Sequence, residues 1–406
     1  MKRYWLSIVL ALFGVCGIAG YYTVGASDEL PAFKLTTVSG DPKEADPLQI
    51  TAQYENRIKL KYLYITTNGS RYEADEGLFD RPRPLWMDYP FYRKLLEDHR
   101  GFMRGKWLHS SLYSDENWIV YADVKSETDR TDYTINLDVL DRASGKTNRK
   151  ELIVPLPDKN NWTTVSDVQV RGEEVHVLVQ KGVKLYSGNE IGFEYLDHVF
   201  DLTGNHKRDA KIDFGLNSPG IRTNFVDRSG EIGSNGFAGF WLDEEQSGSA
   251  NKGSKRIYRA YAYNYDTGVV TLIGEARSEM PDTPGYTYEN HLEDGKFYIA
   301  RRDNAKQNLE VVQYDLETNQ KQAFNFKYED HGGGTLQTFR IAANRIYLIL
   351  SDRQTAQKLL VVLDASNGES VYKARISAVG DEEQARTANV DLRPININYM
   401  YELKLY

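Results

Sequence analysis

The sequence predicts an all-β fold, a six- or seven-bladed β-propeller preceded by an N-terminal transmembrane or signal segment. Two observations carry this. First, Gly295-Lys-Phe-Tyr-Ile is echoed by Asn344-Arg-Ile-Tyr-Leu, and Val311-Val-Gln-Tyr-Asp by Leu360-Val-Val-Leu-Asp, both at a separation of 49 residues. Two features sharing one period mark a structural unit used again. Second, turn signals built on Asp141, Asp201, Asp266, Asp315 and Asp364 follow apolar strands at intervals of 60, 65, 49 and 49 residues. Such a spacing holds four short strands and their loops, which suits propeller blades better than shorter solenoid coils.

The turn signals have a physical reading. An Asp side chain accepts hydrogen bonds from the backbone amides just ahead of it, and a Gly or Asn two to four residues on takes the positive φ that other residues resist. Gly145, Gly204, Gly268, Asn319 and Gly368 stand at those positions.

From the start of the chain, Lys2 and Arg3 precede an apolar run from Leu6 to Ala19. Residues 1–26 are therefore a signal anchor or a signal peptide. Extended to Val24 the run approaches the roughly 20 residues that cross a bilayer, whereas Val24-Gly-Ala26 has the small residues of a cleavage site. Lys2 and Arg3 against Asp28 and Glu29 place the N-terminus inside and the bulk outside. The expected location is the cell membrane by a single pass, or the exterior if the chain is cut after Ala26. Residues 27–47 read as a polar tether. The propeller is expected over 48–406, with 48–70 and 390–406 completing one blade between them and so hiding two sheet edges.

An interruption lies at about 81–105. Arg81-Pro-Arg-Pro84 breaks regular structure, and Pro90 to Arg100 carries Pro at a helix start and Gly101 after its end. Phe91, Leu95 and Phe102 are positioned to pack this helix on the propeller. Arg93, Lys94 and Arg100 are left as candidate partner-binding cations.

The phrase Tyr314-Asp-Leu-Glu-Thr-Asn319, preceded by Gly295-Lys-Phe-Tyr298, resembles the blades of bacterial extracytoplasmic β-propellers with quinoprotein-like repeats. The resemblance spans roughly Asp115 to Ile376 and implies a fold, because propellers host enzymes, scaffolds and receptors alike. The six Trp residues do not recur in register, which sets aside the quinone-dependent redox role of that group.

Cys16 is the only cysteine and lies in the N-terminal segment, so the exported part has no disulfide and no thiolate chemistry. The formal charge of −8 argues against nucleic acid. The best metal candidate is Asp201, Thr203, Asn205 and Asp209, oxygen ligands at positions 1, 3, 5 and 9 as in calcium loops. The competing reading is an ordinary blade hairpin, and no other cofactor is expected.

Of seven histidines none stands two or four residues from another, and His176, inside an apolar strand, reads as core. His331-Gly-Gly-Gly334 has no Gly-x-Ser-x-Gly elbow to serve. Gly248 to Ser254 lacks the lysine of a phosphate loop, and Asp243 and Glu244 are neighbours on a solvated stretch. No catalytic residue emerges. The expected role is a membrane-anchored module that binds a protein partner. The alternative is a glycan-binding or glycan-processing propeller using its central channel, which for an enzyme requires two carboxylates about 5–9.5 Å apart.

Overall fold

The computed structural model describes residues 5, 12–14, 31–56, 59–72, 90–106, 109–126, 131–156, 162–184, 191–215, 221–226, 232–246, 255–278, 286–293, 295–303, 306–331, 334–342, 344–352, 357–379 and 395–402. The chain runs through β1 (Ala32–Gly40), β2 (Leu48–Asn56), β3 (Lys59–Thr66) and β4 (Gly69–Tyr72) to two short helices, α1 (Pro90–Asp98) and α2 (Arg100–Met103). Sheet II follows as β5 (Leu112–Ser114), β6 (Trp118–Lys125), β7 (Asp132–Asp141) and β8 (Thr147–Pro155). Sheet III is β9 (Thr163–Arg171), β10 (Glu174–Lys184), β11 (Ile191–Asp201) and β12 (His206–Lys211). Sheet IV is β13 (Ile221–Phe225), β14 (Phe237–Gln246), β15 (Lys255–Asn264) and β16 (Val270–Ser278). Sheet V is β17 (Tyr286–Glu293), β18 (Lys296–Asp303), β19 (Asn308–Asp315) and β20 (Lys321–Lys327). β21 (Thr335–Ala342), β22 (Arg345–Ser351), β23 (Lys358–Asp364) and β24 (Ser370–Val379) make sheet VI, and β25 (Ile395–Glu402) ends the described chain.

Among the described residues there are thus six sheets, each built on four antiparallel strands. From sheet II through sheet VI each packs on the next, with sheet VI packing on sheet I, which is made of β25, β2, β3 and β4. This is a propeller-like arrangement. The alternating burial of β7 shows why the units form: Tyr133, Ile135, Leu137 and Val139 face the core while Thr134, Asn136 and Asp138 are half exposed. Sheets V and VI and sheet I, in strand order β25-β2-β3-β4, share one continuous apolar core, to which Tyr298, Tyr347 and Tyr372 contribute fully buried rings.

The predicted turns are present. Asp141 Oδ1 accepts from the Ala143 amide at 2.9 Å, Asp315 Oδ1 from Thr318 at 2.8 Å and Asp364 Oδ1 from Ser366 at 2.8 Å. Gly145, Gly204, Gly268, Asn319 and Gly368 all have positive φ. One turn differs from the sequence reading. In sheet IV it is Asn264, not Asp266, that caps the corner, accepting from the amides of Asp266 (2.9 Å) and Thr267 (3.0 Å). The Gly268 amide closes back on the Asn264 carbonyl just as Gly145 closes on Asp141. Asp266 is thereby released from turn formation.

Sheet I is assembled from both ends of the described chain. β25 pairs antiparallel with β2, setting Ile50 opposite Met400 and Gln53 opposite Asn396, as the two segments were expected to do. Of the stretch read as a tether, 27–47, residues 31–47 are described and are more structured than their composition suggests. β1 adds a fifth strand to sheet VI, pairing with β24 from Ala32↔Val379 to Gly40↔Tyr372. Phe33 is buried, its amide donates to Ser70 Oγ (2.7 Å), and Tyr72 Oη donates to the Pro31 carbonyl (2.8 Å). β1 therefore bridges sheets VI and I. Its mostly exposed side chains explain why no alternating pattern announced it: an edge strand is recruited by its backbone.

The helix expected near 90–100 is split into α1 and α2. Tyr92 and Leu95 of α1 and Phe102 and Met103 of α2 pack with Leu112, Ile119, Tyr121 and Leu140 of sheet II. Tyr92 Oη donates to the Lys106 carbonyl, and buried Lys106 pairs with Asp138 at 2.6 Å. Leu95 and Phe102 pack as read from the sequence; Phe91 lies outside the described side chains. Among the described residues no helix is long and apolar enough to cross a membrane. Of residues 1–26, only 5 and 12–14 are described, so the expected membrane segment falls outside the described residues.

Gly40 tests the role of β1. Its φ is +84°, and a Cβ there would sit 2.0 Å from the Val371 carbonyl oxygen, so Gly40→Ala is expected to destabilise the fold by roughly 2–3 kcal/mol. Chemical denaturation checks this; a strand that merely tethers would tolerate the change.

Candidate functional site: a polar cleft over sheets III to V

In an antiparallel meander the connection between first and second strands and that between third and fourth strands emerge at the same end. One face of the molecule is built from these corners. Arg171 closes β9 immediately before the positive-φ Gly172, and its guanidinium reaches across to the corner of sheet IV. Nε donates to Asp266 Oδ1 at 2.9 Å, Nη2 to Oδ2 at 2.5 Å, and Nη1 to Ser234 Oγ at 3.2 Å. This fork-to-fork pair is the geometry at which arginine excels. It is available only because Asn264 does the capping that Asp does elsewhere. The Arg171 hydrogen bonds hold the Asp266 carboxyl below its ordinary value, and Asp266 in turn raises the Arg171 guanidinium.

Around this clasp lies a cleft of about 500 Å³, whose lining includes Arg171, Ser234, Asn235, Asp266, Leu316 and Glu317. Three sheets contribute. The segment before β14 forms part of the wall: the Asn235 amide donates to Gln169 Oε1 (2.7 Å) and Asn235 Oδ1 accepts from the Phe237 amide (3.1 Å). Asn235 is 4% exposed, and its Nδ2 has no hydrogen-bond partner among the described residues. A buried amide donor without a partner is costly, about 1–3 kcal/mol, unless a water or ligand meets it.

Beneath the cleft runs a buried polar layer joining sheets III and IV. Asp167 accepts from Tyr265 Oη (2.7 Å) and from Gln169 Nε2. Asp197, fully buried, accepts from Tyr263 Oη (2.8 Å) and from His176 Nδ1 (2.8 Å). Burial, aided by the Asp197 charge, pushes the Tyr263 phenol well above its ordinary range, so it stays a donor. His176 is a core residue as the sequence suggested, but it is packed through a hydrogen bond to a carboxylate rather than by apolar contact alone.

The other sequence candidates are distributed as follows. Asp201 Oδ1 accepts from the Thr203 amide (2.9 Å) and hydroxyl (2.6 Å) and from the Asn205 amide (2.9 Å), while Oδ2 accepts from Asn205 Nδ2 (3.0 Å). These donors, the Thr203 hydroxyl first, hold its carboxyl down at about 2. Asp209 does not join them. Its Oδ1 lies 2.6 Å from His198 Nδ1 and 2.7 Å from His206 Nε2. Lys94 and Arg100 are exposed on α1 and α2, and the Arg93 side chain, like those of Asp243 and Glu244, lies outside the described residues. Arg171 escaped the sequence reading because Arg-Gly at a strand end looks like any turn. The one available signal was the doubled capping residue in Asn264-Tyr-Asp266, which offers two candidates for one corner.

No family model and no curated protein matches the chain. Among solved structures, a prolyl endopeptidase aligns at TM-score 0.34 and 11% identity over 84% of this chain and 43% of the other. An oligogalacturonate lyase in complex with manganese aligns at 0.35 and 10% over 84% of both chains. The β-propeller domain of the Trilobed protease from Pyrococcus furiosus aligns at 0.23 and 8% over 67% of this chain and 83% of the other. The chain spans less than half the length of the first of these, and at such identities the likeness concerns the fold alone.

A double-mutant cycle on Arg171→Ala and Asp266→Ala is expected to give a coupling energy of about 1 kcal/mol, the size proper to a partly exposed bidentate pair. Because the folded Asp266 carboxyl lies below its ordinary 3.8, the coupling is complete above that pH. It disappears as pH falls through the folded value and the carboxylate takes up a proton. Repeating the cycle at decreasing pH checks the sign.

Proposed function

We propose that the protein is a six-bladed propeller, held at the membrane with its sheets outside by residues 1–26, that binds a polypeptide segment of a membrane protein in the cleft over sheets III to V. The observation that carries this reading is the cleft's construction. Its one arginine is tied to Asp266 and Ser234, leaving an unpartnered amide donor on Asn235 and an exposed carboxylate on Glu317. A chain segment supplies what Glu317 asks for, a Lys or Arg, and its backbone carbonyl satisfies Asn235 Nδ2 once that buried amide turns toward the cleft. Clefts of this size, with a few converging polar groups on a rigid frame, are where propellers and other scaffolds take ligands. The Arg171–Asp266 clasp stiffens two walls before binding, which lowers the ordering cost of association.

The reading is tested by crosslinking and recovery from the native membranes with the full-length chain, a form starting at Ser27, and full-length Asn235→Ala and Glu317→Lys. Stoichiometric recovery of one membrane protein by the full-length chain, reduced about tenfold or more by Glu317→Lys, is expected. Recovery that ignores both cleft substitutions, or no recovery by any form, overturns the reading; in the second case glycan arrays become the next screen.

A further inference from the structure

We propose that His198, His206 and Asp209 form a binding site for a divalent first-row transition ion of the zinc class, on the edge of sheet III and separate from the cleft. The one ligand atom offered by each residue lies within 4.8 Å of the others. His198 stands on β11; His206 and Asp209 stand on β12.

The hairpin register explains how they meet. His198 is directly opposite Asp209, and Phe200 is opposite His206, with a bulge between. His198 and Phe200 share one face by the two-residue period of a strand. His206 and Asp209, three residues apart, would point to opposite faces of a regular strand. The extra residue in the bulge, Lys207, returns both to the face of His198.

The ligand set is chemically apt. Two imidazoles and one carboxylate suit zinc and its neighbours, whereas calcium asks for six or more oxygens. Oδ1 of Asp209 now lies 2.6 and 2.7 Å from the two ring nitrogens. Ligand atoms around a tetrahedral ion are about 3.4 Å apart for bonds near 2.1 Å, so on occupancy the two contacts with Asp209 open by under about 1 Å. Those movements fall on Asp209 and His206, whose side chains are 47% and 31% exposed. His198, by contrast, is fully buried and held from behind: its Nε2 lies 2.7 Å from Tyr133 Oη, contributed by β7 of the neighbouring sheet.

That contact is the arrangement by which a metal-bound histidine is aimed through its second nitrogen. Without an ion, Nδ1–H donates to Asp209 and Nε2 accepts from the Tyr133 hydroxyl. With an ion on Nδ1, the ring proton resides on Nε2 and the Tyr133 oxygen accepts it. The flanking cations are occupied elsewhere, Lys207 and Arg208 both pairing with Glu174 at 2.6 and 2.9 Å. Three protein ligands leave a coordination position toward solvent.

The test uses the full chain in detergent, stripped with a chelator and titrated with zinc by calorimetry and with cobalt(II) by visible absorption. One ion per chain and the ligand-field spectrum of a four- or five-coordinate cobalt are expected. His206→Ala and Asp209→Asn, both at exposed positions, each reduce affinity about 100-fold. Tyr133→Phe reduces it about tenfold, the scale of lost orienting contacts, and Asp201→Asn leaves it unchanged. Absence of uptake, or uptake indifferent to both His206→Ala and Asp209→Asn, overturns the proposal. Calcium binding lost in Asp201→Asn but kept in His206→Ala also overturns it and returns the ion to the oxygen-rich turn.

Discussion

The corners where an Asx side chain gathers the backbone amides ahead of it set the positions of everything on the loop face. A strand can slide in register against its neighbour only if its turn allows it, and here Asp141, Asp201, Asn264, Asp315 and Asp364 hold the turns by hydrogen bonds of 2.8–2.9 Å. Asp141, Asp201 and Asp315 serve their own turns, while Asp364 caps through Oδ1 and also accepts from Arg345 Nη1 through Oδ2 at 3.2 Å. The fifth uses Asn264, and the carboxylate two residues on becomes half of a pair that ties sheet IV to sheet III. A change of capping residue thus turns a local device into a tertiary one, and the cleft forms around it.

Below the clasp, the interface between sheets III and IV is held by polar contacts rather than by apolar packing alone. Asp167, Asp197 and His176 are all nearly or fully buried; Asp167 meets Tyr265, and Asp197 meets both Tyr263 and His176. Groups of this kind are costly when unpaired and specific when paired. They permit one relative placement of the two sheets, because a shift of a single residue would leave two carboxylates without donors. Sheets V, VI and I rely instead on the shared apolar core. The molecule therefore has an apolar side that supplies burial and a polar side that supplies position. The histidine cluster lies on the polar side, and the cleft spans from it to the edge of sheet V.

The first and last described strands, β1 and β25, meet at the seam between sheets VI and I. β25 completes sheet I while β1 extends sheet VI and touches Ser70 and Tyr72 of the next sheet. An edge with unpaired amides is covered from both directions, which suits a repeat protein whose free edges invite association.

Much of this was legible from residues alone. The 49-residue echo, the five corners with their positive-φ Gly or Asn and the apolar face carrying Leu95 and Phe102 follow from local rules, because turn chemistry and periodicity depend on neighbours in sequence, and the pairing of the C-terminal strand with β2 follows from the closure of a circular repeat. What escaped was long-range. β1 carries too few buried side chains to show a pattern, and its partner lies more than 330 residues away. Asp209 read as the ninth position of an oxygen-rich loop, yet it sits on two histidines because an antiparallel hairpin places residue 209 against residue 198 and a bulge turns residue 206 to the same face. Arg171 and Asp266 are 95 residues apart. The sequence by itself determined the unit, its period and its corners, since these rest on backbone conformation and short-range hydrogen bonds. Tertiary structure alone decided which charges meet, because ion pairs and ligand sets are formed by register between strands and by packing between sheets.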